Sequence, residues 1–129
     1  MSRGTGPSLE RLIALIAGFR DRRVAVLGDF VCDEFLYGDI ARVSREAPVL
    51  ILEQTRVNVV PGGAGNAVAN LRALGAKPIP LGIVGHDDAG RGLLATFRRL
   101  GIPTGGIVAE RGYATPAKSR ILAGGVHTR

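Results

Sequence analysis

Hydrophobic positions near the amino terminus follow first a helical period and then a strand period. Ser8 can cap a helix, and the apolar residues after it recur at helical spacing: Leu9, Leu12, Ile13, Leu15, Ile16 and Phe19. We predict that this helix ends near Phe19 or Arg20. The short run Arg23–Leu27 is rich in strand formers and is predicted to be the first, central strand of a sheet.

Residues 61–76 predict a tight turn that opens directly into a helix. Gly62 and Gly63 carry no Cβ, so the backbone can adopt unusual angles and a ligand can approach closely. Helix formers begin near Ala64, and Gly75 lies where a glycine ends a helix. Unpaired N–H groups at the helix start favour polar or anionic ligands, and the Asn66 carboxamide suits a sugar hydroxyl. The alternative is a glycine-rich connection in which Asn66 is only a local cap.

Two common glycine motifs do not fit this turn. A Walker phosphate loop requires a Gly-Lys-Ser/Thr ending, which is absent from residues 61–76. A dinucleotide fingerprint starting at Gly63 would need glycine or alanine where Val68 stands, and it should follow the first strand. The pattern is therefore Gly-Gly-x-x-Asn and indicates neither type of loop.

Other segments are predicted from the same periods, in chain order. Residues 1–7 are expected to be disordered, residues 38–49 irregular, residues 49–53, 56–60, 78–84 and 102–108 strands, residues 89–100 a helix, and residues 117–123 and 126–129 a hairpin joined at Gly124 and Gly125. Elements that alternate in this way are typical of an α/β fold.

Acidic residues follow two of the predicted strands. Asp29 and Asp33 come after the first strand, and ligands of α/β sheets bind beyond the carboxyl ends of strands. Solvated turn residues are the alternative for both aspartates. Asp87 and Asp88 precede a helix, where capping explains them better than a metal site does. His86 has no cysteine or histidine partner at ligand spacing, so no zinc site and no other metal site is predicted.

Composition narrows the class of protein. A chain of 129 residues with a net charge of +6 is long enough for one domain. Its arginines are dispersed and aromatics make up only 5%, so an anionic sugar phosphate is favoured over nucleic acid as the partner. The single Cys32 fits a reducing cytoplasm and a small buried core position. Without a long apolar run or a signal peptide, we expect a cytoplasmic protein with no membrane partner.

Residues 61–76 resemble the first signature of the ribokinase (phosphofructokinase-B-like) family of carbohydrate kinases. The resemblance implies a three-layer α/β fold with a small β-lid, of which this chain covers the amino-terminal part. It also implies that Gly62, Gly63 and Asn66 hold hydroxyls of the sugar. Asp33 stands where the family places an aspartate that accepts hydrogen bonds from sugar hydroxyls. These four residues are the predicted substrate-binding site.

One branch of the family is favoured. Residues 44–49, Ser-Arg-Glu-Ala-Pro-Val, resemble a segment of the heptose-7-phosphate kinases of lipopolysaccharide biosynthesis. Residues 37–60 would then form the lid and the contact of a homodimer, and Arg42, Arg45 and Arg56 are either phosphate ligands or solvated lid residues. The basic residues of the strand at 117–123 match a strand of this branch that faces substrate.

The family's second signature, Asp-Thr-x-Gly-Ala-Gly-Asp, is absent from this sequence. That motif supplies the catalytic aspartate and the anion hole, so we expect no catalytic and no cofactor-binding residue in residues 1–129. ATP and Mg²⁺ are implied by the family, with their binding residues mostly outside this chain. The chain alone is expected to be inactive, as an incomplete part of one kinase domain. Alternatives are another sugar or nucleoside kinase of the family, and a non-catalytic sugar-phosphate-binding module.

Overall fold

The computed structural model describes residues 6–123, which alternate between helices and strands. Their elements, in chain order, are α1 (Leu9–Ala17), β1 (Arg23–Leu27), β2 (Phe30–Val43), β3 (Leu50–Gly63), α2 (Ala64–Ala73), β4 (Lys77–Gly85), α3 (Asp88–Arg99), β5 (Ile107–Glu110) and β6 (Ala117–Ala123). The α/β class predicted from the sequence is confirmed.

The strands form two separate sheets. In the core sheet, β4 lies between β1 and β5, and all three strands are parallel. In the lid sheet, β2 lies between β3, to which it is antiparallel, and β6, to which it is parallel. The chain thus passes from the core sheet into the lid and, after α2, back again. It enters the lid a second time through β6.

The hydrophobic core lies between the core sheet and helices α2 and α3. Its buried members are Phe30, Val68, Val84, Leu93, Phe97, Ile102 and Ile107. The rings of Phe30 and Phe97 meet edge to face, with their centroids 5.8 Å apart, which is a favourable aromatic geometry. Phe30 is the first residue of β2, so the lid sheet is attached to the core at the point where it begins.

The amino-terminal predictions are largely confirmed. Helix α1 has Ser8 as its N-cap, with Oγ accepting a hydrogen bond from the Arg11 N–H, although the helix ends at Ala17. Within residues 6–123, α1 buries none of its side chains, so its apolar stripe is exposed. The prediction that β1 is central is wrong for the described residues, where β1 is an edge strand and β4 is central.

The lid differs most from its prediction. Residues 38–43 are not irregular but continue β2, and the two short strands predicted at 49–53 and 56–60 are parts of β3. Gly38 allows the two strands to stay close, since a Cβ there would lie 2.9 Å from the Glu53 carbonyl oxygen. Hydrogen bonds between β2 and β3, with two register shifts, order this segment. Its polar sequence alone does not show a strand pattern.

The carboxyl-terminal elements agree in part with expectation. The strand predicted at 102–108 begins only at Ile107, as β5, and runs on to Glu110, whereas the strand at 117–123 is confirmed as β6. The turn at Gly124 and Gly125, the strand at 126–129 and most of the disordered segment 1–7 lie outside the described residues. Among the described helices, none has the length and apolar character needed to cross a membrane.

Candidate functional site

Asp33 lies inside β2 and not in a turn after β1. Its carboxylate is partly buried, with 23% of the side chain exposed, and Oδ1 accepts a hydrogen bond from Arg120 Nη1 at 3.0 Å. Arg120 belongs to β6, the neighbouring parallel strand, and its guanidinium lies 5.1 Å from the centre of the Phe35 ring. The basic strand predicted at 117–123 therefore places the Arg120 guanidinium beside Asp33, the residue predicted to bind the sugar.

Gly62 lies directly against this carboxylate. A Cβ at position 62 would lie 2.4 Å from Asp33 Oδ2, so any other residue there would displace this carboxylate. Gly63 has φ +57°, a conformation that favours glycine, and a Cβ there would lie 2.5 Å from the Asp29 carbonyl oxygen. That same oxygen accepts the Ala64 N–H at 2.9 Å, which fixes the start of α2. Glycine is thus favoured at position 62 by the Asp33 side chain, and at position 63 by the backbone conformation and the Asp29 carbonyl oxygen.

Asn66 lies in the first turn of α2 and is exposed. Its Oδ1 accepts a hydrogen bond from Asn70 Nδ2 at 3.1 Å, one turn further along the helix. Helix α2 has no side-chain cap, so the interpretation of Asn66 as a local cap is wrong. This hydrogen bond from Asn70 holds the Asn66 carboxamide in place. Asn70 was missed in the sequence because its role depends on helical spacing to Asn66.

An open cavity of about 410 Å³ lies beyond the carboxyl end of β1. It is lined by Leu27, Gly28, Asp29, Gly82, Ile83 and Tyr113. Asp29 itself is an exposed residue of the turn, as its alternative interpretation expected. Tyr113 comes from the connection between β5 and β6, and no sequence pattern singled it out. The cavity lies on the side of the sheet where ligands of α/β folds bind.

Asp87 is a capping residue, as predicted. Its carboxylate accepts the Gly90 N–H at 2.8 Å and both the N–H and the hydroxyl of Thr115 at 2.7 Å. These bonds, those from Thr115 and Gly90 foremost, hold the pKa of Asp87 below its ordinary value. The buried Thr115 hydroxyl also accepts the Gly85 N–H at 2.7 Å. The network ties the segment before β6 to the carboxyl end of β4.

Strands β2, β3 and β6 carry other polar and charged side chains besides Asp33. Glu34 accepts a hydrogen bond from the Ser119 hydroxyl at 2.8 Å and lies near the Cys32 thiol. Burial, then the Glu34 carboxylate, raises the pKa of Cys32 to about 11, so this thiol is the buried residue that was predicted. Arg56 stacks on Tyr37 at 4.1 Å from the ring centre. Across residues 6–123, no cluster of three His, Cys, Asp or Glu side chains could hold a metal ion.

Comparisons with known sequences agree on one family. The model described as pfkB family carbohydrate kinase matches residues 22–128. The chain is 43% identical over 117 residues to the bifunctional protein HldE of Mesorhizobium japonicum, covering 91% of this chain and 24% of that protein. It is 42% identical over 104 residues to HldE of Desulfatibacillum aliphaticivorans, covering 81% and 21%. The chain thus spans about a quarter of the length of these curated relatives.

Solved structures show the same fold. A carbohydrate kinase from Agrobacterium tumefaciens matches with a TM-score of 0.58 and 25% identity, over 79% of this chain and 32% of that one. Arabidopsis thaliana ribokinase, solved with ribose and ATP, matches with a TM-score of 0.57 and 15% identity, over 81% and 33%. The ribokinase-like fold predicted from residues 61–76 is confirmed. On the family match and these relatives together, the chain belongs to the pfkB family of carbohydrate kinases.

Proposed function

We propose that this chain forms the sugar-holding part of a kinase that transfers a phosphoryl group from ATP to a carbohydrate hydroxyl, with heptose 7-phosphate as the substrate. The observation that carries the proposal is the contact between Gly62 and Asp33. Because Gly62 has no side chain, it does not cover the Asp33 carboxylate, and 23% of the Asp33 side chain stays exposed. A polar ligand can therefore reach a carboxylate that is otherwise partly buried.

The chemistry of Asp33 suits a pair of sugar hydroxyls. Its Oδ1 accepts one hydrogen bond from Arg120, and each carboxylate oxygen can accept more than one. A carboxylate accepts hydrogen bonds, and sugar hydroxyls donate them. Asn66 adds a group that both donates and accepts, at a helix start without a side-chain cap. Together with Gly62 and Gly63 these residues make up the proposed sugar site.

The choice of heptose 7-phosphate is supported by resemblance and by charge. Residues 44–49 resemble the heptose-7-phosphate kinases, and the curated relatives are bifunctional proteins named HldE. Arg42 and Arg45 are exposed at the far end of the lid hairpin, and Arg42 lies about 30 Å along β2 from Asp33, so neither contacts the phosphate of a sugar held there. Arg56 pairs with Tyr37 and lies nearer to Asp33 along the hairpin. A phosphate group on the sugar would gain from this cation, whereas ribose and fructose carry no phosphate.

ATP and Mg²⁺ belong to the proposed reaction, and the family resemblance implies that most of their binding residues lie outside this chain. Among residues 6–123, no group of three His, Cys, Asp or Glu side chains could hold a metal ion. In phosphoryl transfer, catalysis depends on positioning the acceptor and on stabilising charge near the transferred group. We assign the first of these tasks to this chain, as part of one kinase domain.

Calorimetric titration of the 129-residue chain with heptose 7-phosphate, ribose and fructose 6-phosphate tests the proposal. We expect heptose 7-phosphate to bind most tightly. Asp33→Asn should weaken binding tenfold or more, because losing a hydrogen-bond partner of this kind costs about 1–3 kcal/mol. Asp39→Asn, an exposed aspartate of the same strand, is the matched control. Equal affinities in both variants would contradict the assignment of Asp33.

The same preparation tests the division of labour within the kinase. The isolated chain should bind sugar without consuming ATP, since the second family signature is absent from its sequence. A coupled ADP-release assay with the same three sugars measures this. Turnover above background that disappears in Asp33→Asn would show that residues 1–129 are a complete catalyst.

A further inference from the structure

A second cavity lies at the opposite end of the core sheet from the proposed sugar site. It has a volume of about 280 Å³ and lies where β1 and β4 begin. Its basic residues are Arg23, Arg72 and Lys77, and its other walls include Ile79, Gly101 and Pro103. We call this cavity the basic cleft. Among the described residues that line it, none is acidic.

Two of the cations are neighbours by strand register. Arg23 and Lys77 are the first residues of β1 and β4 and are directly paired in the parallel sheet. Like charges in register repel each other, so their pairing is unfavourable unless an anion lies between them. Asp21 forms an ion pair with Lys77, with Oδ1 and Nζ 2.8 Å apart. This one carboxylate offsets only one of the three positive charges. The cleft therefore keeps a positive potential.

Arg72 is the best-positioned of the three. Its Nε donates to the Leu100 carbonyl oxygen at 3.3 Å, which anchors the guanidinium at the end of α3. Gly101 makes room for it, since a Cβ there would lie 3.2 Å from Nη2. Capping α3 explains the Nε bond, but that bond uses only one of the five N–H donors. The terminal nitrogens remain as a planar fork of the kind that binds phosphate oxygens.

The basic cleft is separate from the sugar site. Arg23 and Leu27 are the two ends of β1, and at the rise of a strand they lie about 13 Å apart. Asp29 and the larger cavity lie beyond Leu27, on the far side. A sugar phosphate bound near Asp33 cannot reach the basic cleft with its phosphate group.

The geometry points to a second binding site, in which the basic cleft takes the phosphate group of a small phosphorylated ligand. Arg72 and Arg23 contact the phosphate oxygens, and Lys77 adds charge. The apolar walls formed by Ile79 and Pro103 contact whatever the phosphate is attached to. A volume slightly below the roughly 300 Å³ at which pockets for drug-sized ligands begin suits a small phosphorylated molecule.

An NMR titration of the ¹⁵N-labelled 129-residue chain tests this site. The probes are inorganic phosphate and glycerol 3-phosphate at constant ionic strength, with sodium chloride as the reference salt. We expect saturable amide shifts at Arg23, Arg72, Ile79 and Gly101 with either phosphate probe. Tighter binding of glycerol 3-phosphate would identify a phosphomonoester as the ligand, whereas equal affinity would identify free phosphate.

Variants separate the cleft from general charge effects. Arg72→Gln and Arg23→Gln should each weaken phosphate binding at least tenfold, and Arg72→Lys should fall between wild type and Arg72→Gln. Arg111→Gln, an exposed arginine of the β5–β6 connection, is the matched control and should leave binding unchanged.

Three results would overturn the inference. The first is the absence of saturable shifts, or equal shifts with chloride. The second is unaltered phosphate affinity in both Arg23→Gln and Arg72→Gln, with Arg23→Gln decisive if the other variant fails to fold. The third is Arg72-dependent binding of a single-stranded oligonucleotide by a chain that does not bind either phosphate probe.

Discussion

The core and the lid of this chain are ordered by different forces. In the core, Phe30, Leu93 and Phe97 are almost completely removed from solvent. In the lid hairpin, Ile40 and Leu50 are about half exposed even though both residues are paired across the two strands. Burial of apolar area stabilises the first region, whereas backbone hydrogen bonds maintain the second. The proposed sugar site lies where the two regimes meet, at Asp33 and Gly62.

The largest effect is expected when one side chain is truncated in each region and the two losses of stability are compared. Phe97→Ala should lower the free energy of unfolding by about 3–5 kcal/mol, because it leaves a cavity in the core. Ile40→Ala should change it by only about 0.5 kcal/mol, since the side chain is exposed. Urea unfolding followed by circular dichroism measures both values. Similar losses in the two variants would mean that the lid, too, depends on burial.

The link between the regions can be cut at Asp87 and Thr115. Thr115→Val removes the hydroxyl that accepts the Gly85 N–H and donates to the Asp87 carboxylate, while the backbone N–H donors to Asp87 remain. Because the buried Gly85 N–H then lacks a partner, the substitution should cost about 1–3 kcal/mol. Asp87→Asn should cost a similar amount. Asp88→Asn, which alters only an exposed ion pair with Arg91, is the control and should cost less than 1 kcal/mol.

Acid should weaken the same link. The pKa of Asp87 is lowered in the folded chain, so its contribution is complete above the unfolded pKa of about 3.9. It is lost as the pH falls through the lower, folded value. Unfolding measured from pH 6 downward should therefore show a steeper loss of stability in the wild-type chain than in Asp87→Asn. Parallel curves would contradict this role.

The lid and the core should also differ in self-association, because the lid hairpin carries exposed apolar side chains. We propose that the edge of β3, which pairs with no other strand within residues 6–123, and the apolar residues of the hairpin join two copies into a homodimer. Ile40→Glu should shift the chain toward monomer in sedimentation experiments at micromolar concentration. Leu27→Glu, at an apolar position of the core sheet that is 81% exposed against 50% for Ile40, should not. A wild-type chain that is already monomeric would end the proposal.

The smallest effect concerns Cys32, at the root of the lid. Burial raises its pKa to about 11, so at pH 8 only about one thiol in a thousand is ionised. Iodoacetamide should modify the folded chain about a hundredfold more slowly than the chain in urea, with mass spectrometry as the readout. Rapid labelling of the folded chain would show that the root of the lid opens readily.

Local patterns predicted a large part of this structure. The Ser8 cap, the β1 run, the start of α2 at Ala64 and the Asp87 cap depend on neighbouring residues, so they could be found in the sequence. The helix end at Gly75 was found for the same reason, and its φ of +89° confirms it. The continuous β2 was missed because its order comes from β3, which begins after six further residues.

The contacts around the proposed sugar site could not be predicted from local sequence patterns. Arg120 and Asp33 are 87 positions apart, and their ion pair depends on the parallel pairing of β2 with β6. Tyr113 and Thr115 come from a connection without regular structure. Position 33 could be proposed from a family resemblance, but its location inside a strand could not. Contacts of this range arise from the packing of whole elements.

Strand β2 runs without interruption from Phe30 in the core to Val43 at the far end of the lid, a span of about 43 Å. Asp33 lies near the anchored end, and the hairpin turn lies at the other. Evolution can therefore change the outer residues of this hairpin with little effect on the geometry at Asp33. A family of kinases built on such a strand could diversify its lids and partners while its sugar-holding residues stay in place.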